Sequence, residues 1–197
     1  MVILPLPNRV VFTMRISKIF GLTLALAGSL GGLAVPLAQA IERADGTVSF
    51  EKAPRLIEAV TTFNETHVWG ATYYFTLELP ENIGEPLGQV TIQQRQGVEA
   101  IQFKVADSLA FSGTRHHKGE RLALAEVTED ETTQTISVRF DQPVPPGQTV
   151  TIGLYPVHNP QIGGVYLFGV TAFPAAQKPY GLYLGVGRLQ FYDGQDF

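Results

Sequence analysis

The densest group of side chains that could do chemistry is Arg115-His116-His117-Lys118-Gly119-Glu120-Arg121, a basic cluster on an acidic chain. Guanidinium, imidazole and ammonium groups this close together could hold an anion, and two imidazoles could hold a metal. Adjacent residues on a strand point to opposite faces, so His116 and His117 can share one ion only if the chain turns between them. The same string also reads as a solvated hairpin tip with Lys118-Gly119 at its turn. Arg115 and His116 are kept as candidate ligand-binding residues. The third candidate is Trp69, the single tryptophan. It lies in the loop-like string Asn64-Glu65-Thr66-His67-Val68-Trp69-Gly70, ahead of a strong strand. An exposed indole there can stack on a ligand, or it can plug the end of a sandwich.

Other chemistries find less to work with. With no cysteine, disulfides, thiolate metal sites, a cysteine nucleophile and a bacterial lipid anchor are excluded. Copper carriage would need thioethers or an N-terminal histidine, and both methionines lie at positions 1 and 14. Glu126, Glu129, Asp130 and Glu131 could offer oxygens to calcium, but no Asp-x-Asp-x-Asp-Gly loop is present, and the run also reads as an acidic hairpin. Hydrolysis by paired carboxylates depends on their separation in space, which 18 Asp and Glu residues leave open. There is no Gly-x-Ser-x-Gly and no His-Glu-x-x-His. No catalytic residue, metal ligand or cofactor is assigned.

The elements that must position these residues are short strands. Tyr73, Phe75, Leu77 and Leu79 alternate with Thr72, Tyr74, Thr76 and Glu78. The same period of two runs through Ile101–Val105, Ile136–Phe140 and Val150–Leu154, and it marks strands buried on one face. Thinner candidates are Thr47–Phe50, Leu56–Phe63, Gln89–Gln94 and Arg121–Thr128. Pro80–Pro86, Gln96-Gly97, Ser112-Gly113, Pro145-Pro146-Gly147 and Asn159-Pro160 read as turns, and Glu129–Thr132 as a hairpin tip. Val105–Phe111 has room for one helical turn. Val165–Phe173 is apolar on both faces, which suggests a central strand covered on both sides. Leu182, Leu184 and Val186 share one parity while Leu189 and Phe191 take the other, so a bulge at Gly185 or Gly187 would restore one buried face. The expected fold is an all-β antiparallel sandwich, immunoglobulin-like, of eight to ten strands.

The N-terminus carries an address. Met14-Arg15-Ile16-Ser17-Lys18 is a short basic start, Ile19–Val35 is uncharged and apolar, and Ala38-Gln39-Ala40 has the small-x-small pattern of a signal peptidase site. Residues 1–40 are expected to be a cleavable export signal, with Met14 as an alternative start and a single domain over 41–197. The apolar run of about 17 residues falls short of the ~20 needed to span a bilayer as a helix. Cleavage removes Arg9, Arg15 and Lys18 and no acid. The 14 basic residues then fall to 11 against 18 acidic ones, a net charge of −7. Such a surface repels phosphate backbones, so no nucleic-acid partner is expected.

Several strings carry a resemblance: Leu56-Ile57-Glu58-Ala59-Val60-Thr61-Thr62-Phe63, Gly70-Ala71-Thr72-Tyr73-Tyr74-Phe75-Thr76-Leu77, Phe111-Ser112-Gly113-Thr114-Arg115 and Gly164-Val165-Tyr166-Leu167-Phe168-Gly169-Val170-Thr171-Ala172-Phe173-Pro174. Together the chain resembles a cyanobacterial family of exported proteins known only as a domain of unknown function, over roughly Val48–Asp193. The resemblance implies a cyanobacterial source and a periplasmic or envelope location, and brings no activity. The resulting expectation is a non-catalytic periplasmic or cell-envelope module that binds an envelope protein or glycan or serves a structural role, with no stable membrane insertion after cleavage. A hydrolase with an unrecognised carboxylate pair and a metal-carrying sandwich are the alternatives.

Overall fold

The period-two strings become paired strands in the computed structural model, which describes residues 41–42 and 45–194. The export signal over 1–40 and its cleavage after Ala40 lie outside the described residues. In chain order the strands are β1 (Ile41–Glu42), β2 (Val48–Ser49), β3 (Arg55–Thr61), β4 (Tyr73–Glu78), β5 (Leu87–Gln96), β6 (Leu109–Thr114), β7 (His117–Leu122), β8 (Leu124–Asp130), β9 (Thr135–Val144), β10 (Thr149–Leu154), β11 (Gly164–Pro174) and β12 (Leu182–Phe191). β1 and β2 form a short pair of their own. The other ten build two five-stranded antiparallel sheets, in the orders β3-β4-β10-β6-β7 and β12-β11-β5-β9-β8. This is an immunoglobulin-like β-sandwich, at the upper end of the expected strand number. Among the described residues no helix is long and apolar enough to cross a membrane.

The inward faces interdigitate as one aromatic and aliphatic core. Tyr73, Phe75 and Leu77 of β4 face Tyr166, Phe168 and Val170 of β11, all buried. Edge-to-face ring pairs lock this core, across the layers for Phe75–Phe168 at 5.7 Å between centroids and within the second sheet for Tyr166–Phe191 at 5.5 Å. Each such side chain withdrawn from water contributes about 1.5–3 kcal/mol. On one flank β12 closes against β3 at Gly187, where a Cβ would stand 2.5 Å from the Cβ of Ala59 and 3.1 Å from the Phe75 ring. The expected bulge lies beside it. Val170 pairs with Gly185 but Thr171 with Tyr183, leaving Leu184 as the extra residue, and Gly185 takes φ +122°. Leu182 and Leu184 pack on the core before the bulge and Leu189 and Phe191 after it, while Val186 turns outward.

Four details depart from the sequence reading. Ile101–Val105 is not a sheet strand: Phe103 makes a single bridge to Pro156, and Val105–Asp107 is a turn of 3-10 helix. The Arg121–Thr128 candidate is split, because the chain leaves the first sheet after Leu122 and enters the second at Leu124. β11 is flanked by β12 and β5 and is buried inward, but Val165 on its outer face is exposed. Lys118-Gly119 sits within β7, and the turn of that hairpin is Arg115-His116, between paired Thr114 and His117. This hairpin folds over the outer face of the first sheet, aided by a bulge and by Gly113 at φ +87°. The Gly113 carbonyl accepts from the Thr151 hydroxyl at 2.7 Å, and the Lys118 ammonium lies 5.7 Å from the Tyr74 ring centre. Tyr74 and Thr76, on the face opposite the core, are therefore buried as well.

The tip of the β8–β9 hairpin holds two carboxyls displaced in opposite directions. Hydrogen bonds from Thr133 and Thr132 lower Asp130, whereas burial raises Glu129, opposed by a hydrogen bond from the Phe103 backbone. A raised carboxyl favours folding below its ordinary range, and that contribution is lost as pH rises through its folded value. Glu129→Gln is therefore expected to raise the urea midpoint at pH 7, with the advantage shrinking as the pH is lowered into the carboxylate range. At the closed flank, Gly187→Ala should overpack the β12–β3 contact and cost about 1–3 kcal/mol, read as a lower midpoint at unchanged slope.

Candidate functional site

Strand register gathers several connections at one end of the sandwich. Tyr73, the first residue of β4, pairs with Thr61 and Leu154, and Gly164, the first of β11, pairs with Phe191. The segments 62–72, 155–163 and 192–194 therefore emerge together. The segment after β5 joins them, since the Glu99 carboxylate accepts the backbone N–H groups of Gln161 and Ile162.

Asn159 organises this end. It is fully buried. Its Nδ2 donates to the carbonyls of Phe63 at 3.0 Å and Glu65 at 2.8 Å, and its Oδ1 accepts from the Tyr73 hydroxyl at 3.0 Å. Its own N–H donates to the Val68 carbonyl at 2.8 Å, and the His67 N–H donates to the Pro160 carbonyl at 3.0 Å. Thr66 and Asn64 exchange backbone hydrogen bonds with Tyr192, and the Tyr166 hydroxyl donates to the Ile162 carbonyl at 2.9 Å. Burial raises the phenols of both Tyr73 and Tyr166, helped for Tyr73 by the Tyr166 phenol and for both by the Glu99 carboxylate. Both therefore stay neutral donors, tying the core to the loops.

On this base the 62–72 loop holds Trp69 outward, 69% exposed. His67 and Gly70 flank it in the left-handed region, at φ +63° and +82°. For a histidine that conformation costs on the order of 1 kcal/mol, and it persists because its surroundings hold it. The Trp69 ring centre lies 5.5 Å from that of His158, with the planes 59° apart. His158 Nδ1 is 2.7 Å from the Asn159 carbonyl, which can only accept, so that nitrogen carries the hydrogen and Nε2 of the neutral ring is an acceptor. His158 also borders a cleft of about 240 Å³ lined by Glu99, Gln102 and Gln161 among others. Phe63, Val98, Ile162 and Tyr192, all about half exposed or more, surround the same end.

The other sequence candidates lie elsewhere. The Arg115-His116 turn points toward the opposite end, where Glu78 pairs with Thr149. The Arg115 guanidinium is 3.4 Å from the Glu58 carboxylate across the outer face of the first sheet, and His116 is exposed at the tip. The structure thus separates Trp69 from Arg115 and His116. Among the described residues no three of His, Asp or Glu converge on a point that could hold a metal ion. Asn159, His158 and Glu99 are the residues that sequence reasoning passed over. An inward-facing tyrosine on β4 called for a buried partner for its hydroxyl, but nothing local singled out Asn159.

The model of a family of proteins of unknown function, DUF2808, matches residues 47–191. The chain belongs to that family. No curated protein matches it. Among solved structures it is similar to the collagen-binding domain of a Staphylococcus aureus adhesin, at 12% identity over 70% of this chain and 98% of that one, with a TM-score of 0.38. It is also similar to the collagen-binding subdomain of the Enterococcus faecalis surface protein ACE, at 10% identity over 72% and 95% of the two chains, with a TM-score of 0.37. A cohesin module from a Clostridium perfringens family 33 glycoside hydrolase shares 16% identity over 70% and 97%, with a TM-score of 0.36.

Removing the Asn159 side chain would strand the Tyr73 hydroxyl and the Phe63 and Glu65 carbonyls. Asn159→Ala is expected to cost about 3 kcal/mol or more, and Tyr73→Phe about 1 kcal/mol, both measured by urea unfolding. Trp69 is the sole tryptophan, so its emission should report loosening of this end in Asn159→Ala before the sheets unfold.

Proposed function

We propose that this chain is a non-catalytic binding module of the cell envelope, exported by a removable signal over residues 1–40 and working as a single sandwich domain over 41–197. The observation that carries the reading is Trp69: a large indole held in the open by a loop that spends strained backbone and a buried asparagine network to keep it there. Loops fixed on a rigid sandwich are a common place for recognition. The exposed Phe63, Val98, Ile162 and Tyr192 around Trp69 extend the contact surface. The Arg115-His116 turn is a second, separate candidate surface. There Arg115 is engaged with Glu58, so His116 is the more available of the two. The partner is an envelope protein or glycan, on the periplasmic or extracellular side.

The reading is tested by co-sedimentation of the purified chain with isolated envelope fractions. The wild type should sediment, and Trp69→Ala should weaken its association about thirtyfold, the size of a typical aromatic hot spot. Arg115→Ala should have a smaller effect. A wild-type chain that stays wholly in the supernatant overturns the proposal.

A further inference from the structure

Resting on that reading, we infer that the loop end is a saccharide site in which Trp69 stacks on a sugar ring while His158, Glu99, Gln102 and Gln161 hydrogen-bond its hydroxyls. The groups present explain the choice of ligand. A pyranose has a flat C–H face, which suits an aromatic ring, and a rim of hydroxyls, which suits fixed acceptors and amides. Trp69 supplies the ring, 69% exposed. His158 stands beside it at 5.5 Å between ring centres and links the indole to the cleft it borders. With Nδ1 bound to the Asn159 carbonyl, Nε2 is the ring nitrogen left to meet a sugar hydroxyl, which can donate or accept.

Glu99 is the strongest acceptor in the cleft. One carboxylate oxygen takes the N–H groups of Gln161 and Ile162, which fixes the group in place. The other oxygen has no hydrogen-bond partner among the described residues. Charge-assisted hydrogen bonds to a fixed carboxylate are among the stronger neutral-ligand contacts. The side-chain amides of Gln102 and Gln161, which also border the cleft, can each donate as well as accept.

Size narrows the ligand further. The cleft holds about 240 Å³, less than the ~300–1,000 Å³ of sites that enclose a drug-sized molecule. It has room for one ring, with the remainder of a chain lying outside across Trp69 and its apolar neighbours. A unit within a polymer fits that shape better than a free metabolite. The carboxylate, on a chain already acidic, disfavours a polyanionic glycan and points to neutral or amino sugars.

The experiment is isothermal titration of the purified full chain with two soluble probes, cellohexaose and N-acetylchitohexaose, alongside envelope co-sedimentation. Saturable binding of at least one probe is expected. Trp69→Ala should abolish it, Trp69→Phe should retain part of it, and Glu99→Gln, which keeps the acceptor for Gln161 and Ile162, should weaken it about tenfold. Circular dichroism and urea midpoints matching the wild type establish that the variants are folded. If the wild type sediments with envelope protein but takes up neither sugar, the saccharide inference is overturned and the binding-module reading stands. If sugar binds with equal affinity to Trp69→Ala and Glu99→Gln, the site assigned here is wrong.

Discussion

The side chain of Asn159 is enclosed where the loops at one end of the sandwich meet, and both its donor and its acceptor are engaged. In a chain without cysteine no disulfide can hold those loops, and their shape is held by hydrogen bonds made away from water. Such bonds are strong only as a satisfied set, because each orphaned buried group costs about 1–3 kcal/mol. The network therefore behaves as a unit. It joins the 62–72 loop to the 155–163 loop and, through the Tyr73 hydroxyl, to the packed core.

That connection makes the exposed end an extension of the buried one. Tyr73 contacts Phe103, Phe168 and Phe191 at ring-centre distances of 5.7, 6.2 and 5.6 Å, so its position is set by both sheets. Asn159 takes its position from Tyr73, and the Trp69 loop takes its shape from Asn159. The rigidity a recognition surface needs thus comes from aromatic packing several residues away. At the other end the hairpin of β6 and β7 lies down on the first sheet, covering Tyr74 and engaging Arg115 with Glu58. The chemistry that looked richest in the sequence is partly committed to holding that hairpin in place.

Much of the fold was legible because it follows from side-chain alternation. A strand with one apolar face must cover it, and the parity break between Leu184 and Leu189 required a bulge that falls at Gly185. The errors share one cause. Ile101–Val105 alternates like a strand, yet its backbone pairs with the 155–157 loop instead of a sheet strand, and it caps the core from there. Tyr74 and Thr76 alternate as an outer face should, but a distant hairpin covers them. Alternation states which side of a strand is apolar; it does not state what else will come to lie on the other side.

Residue types and spacing alone determined the β class, the approximate strand count, the absence of disulfides and the loop character of the Trp69 segment. Those properties depend on neighbours within a few positions. The tertiary structure decided that Trp69 and His158, 89 positions apart in the chain, share one surface, that Glu99 faces the 155–163 loop, and that Arg115 belongs to a different surface. Contacts across that many residues are set by sheet order and register, and many strand orders bury the same alternating faces equally well. The pairing of β4 with β10, and of β11 with β12, brings these side chains to one end.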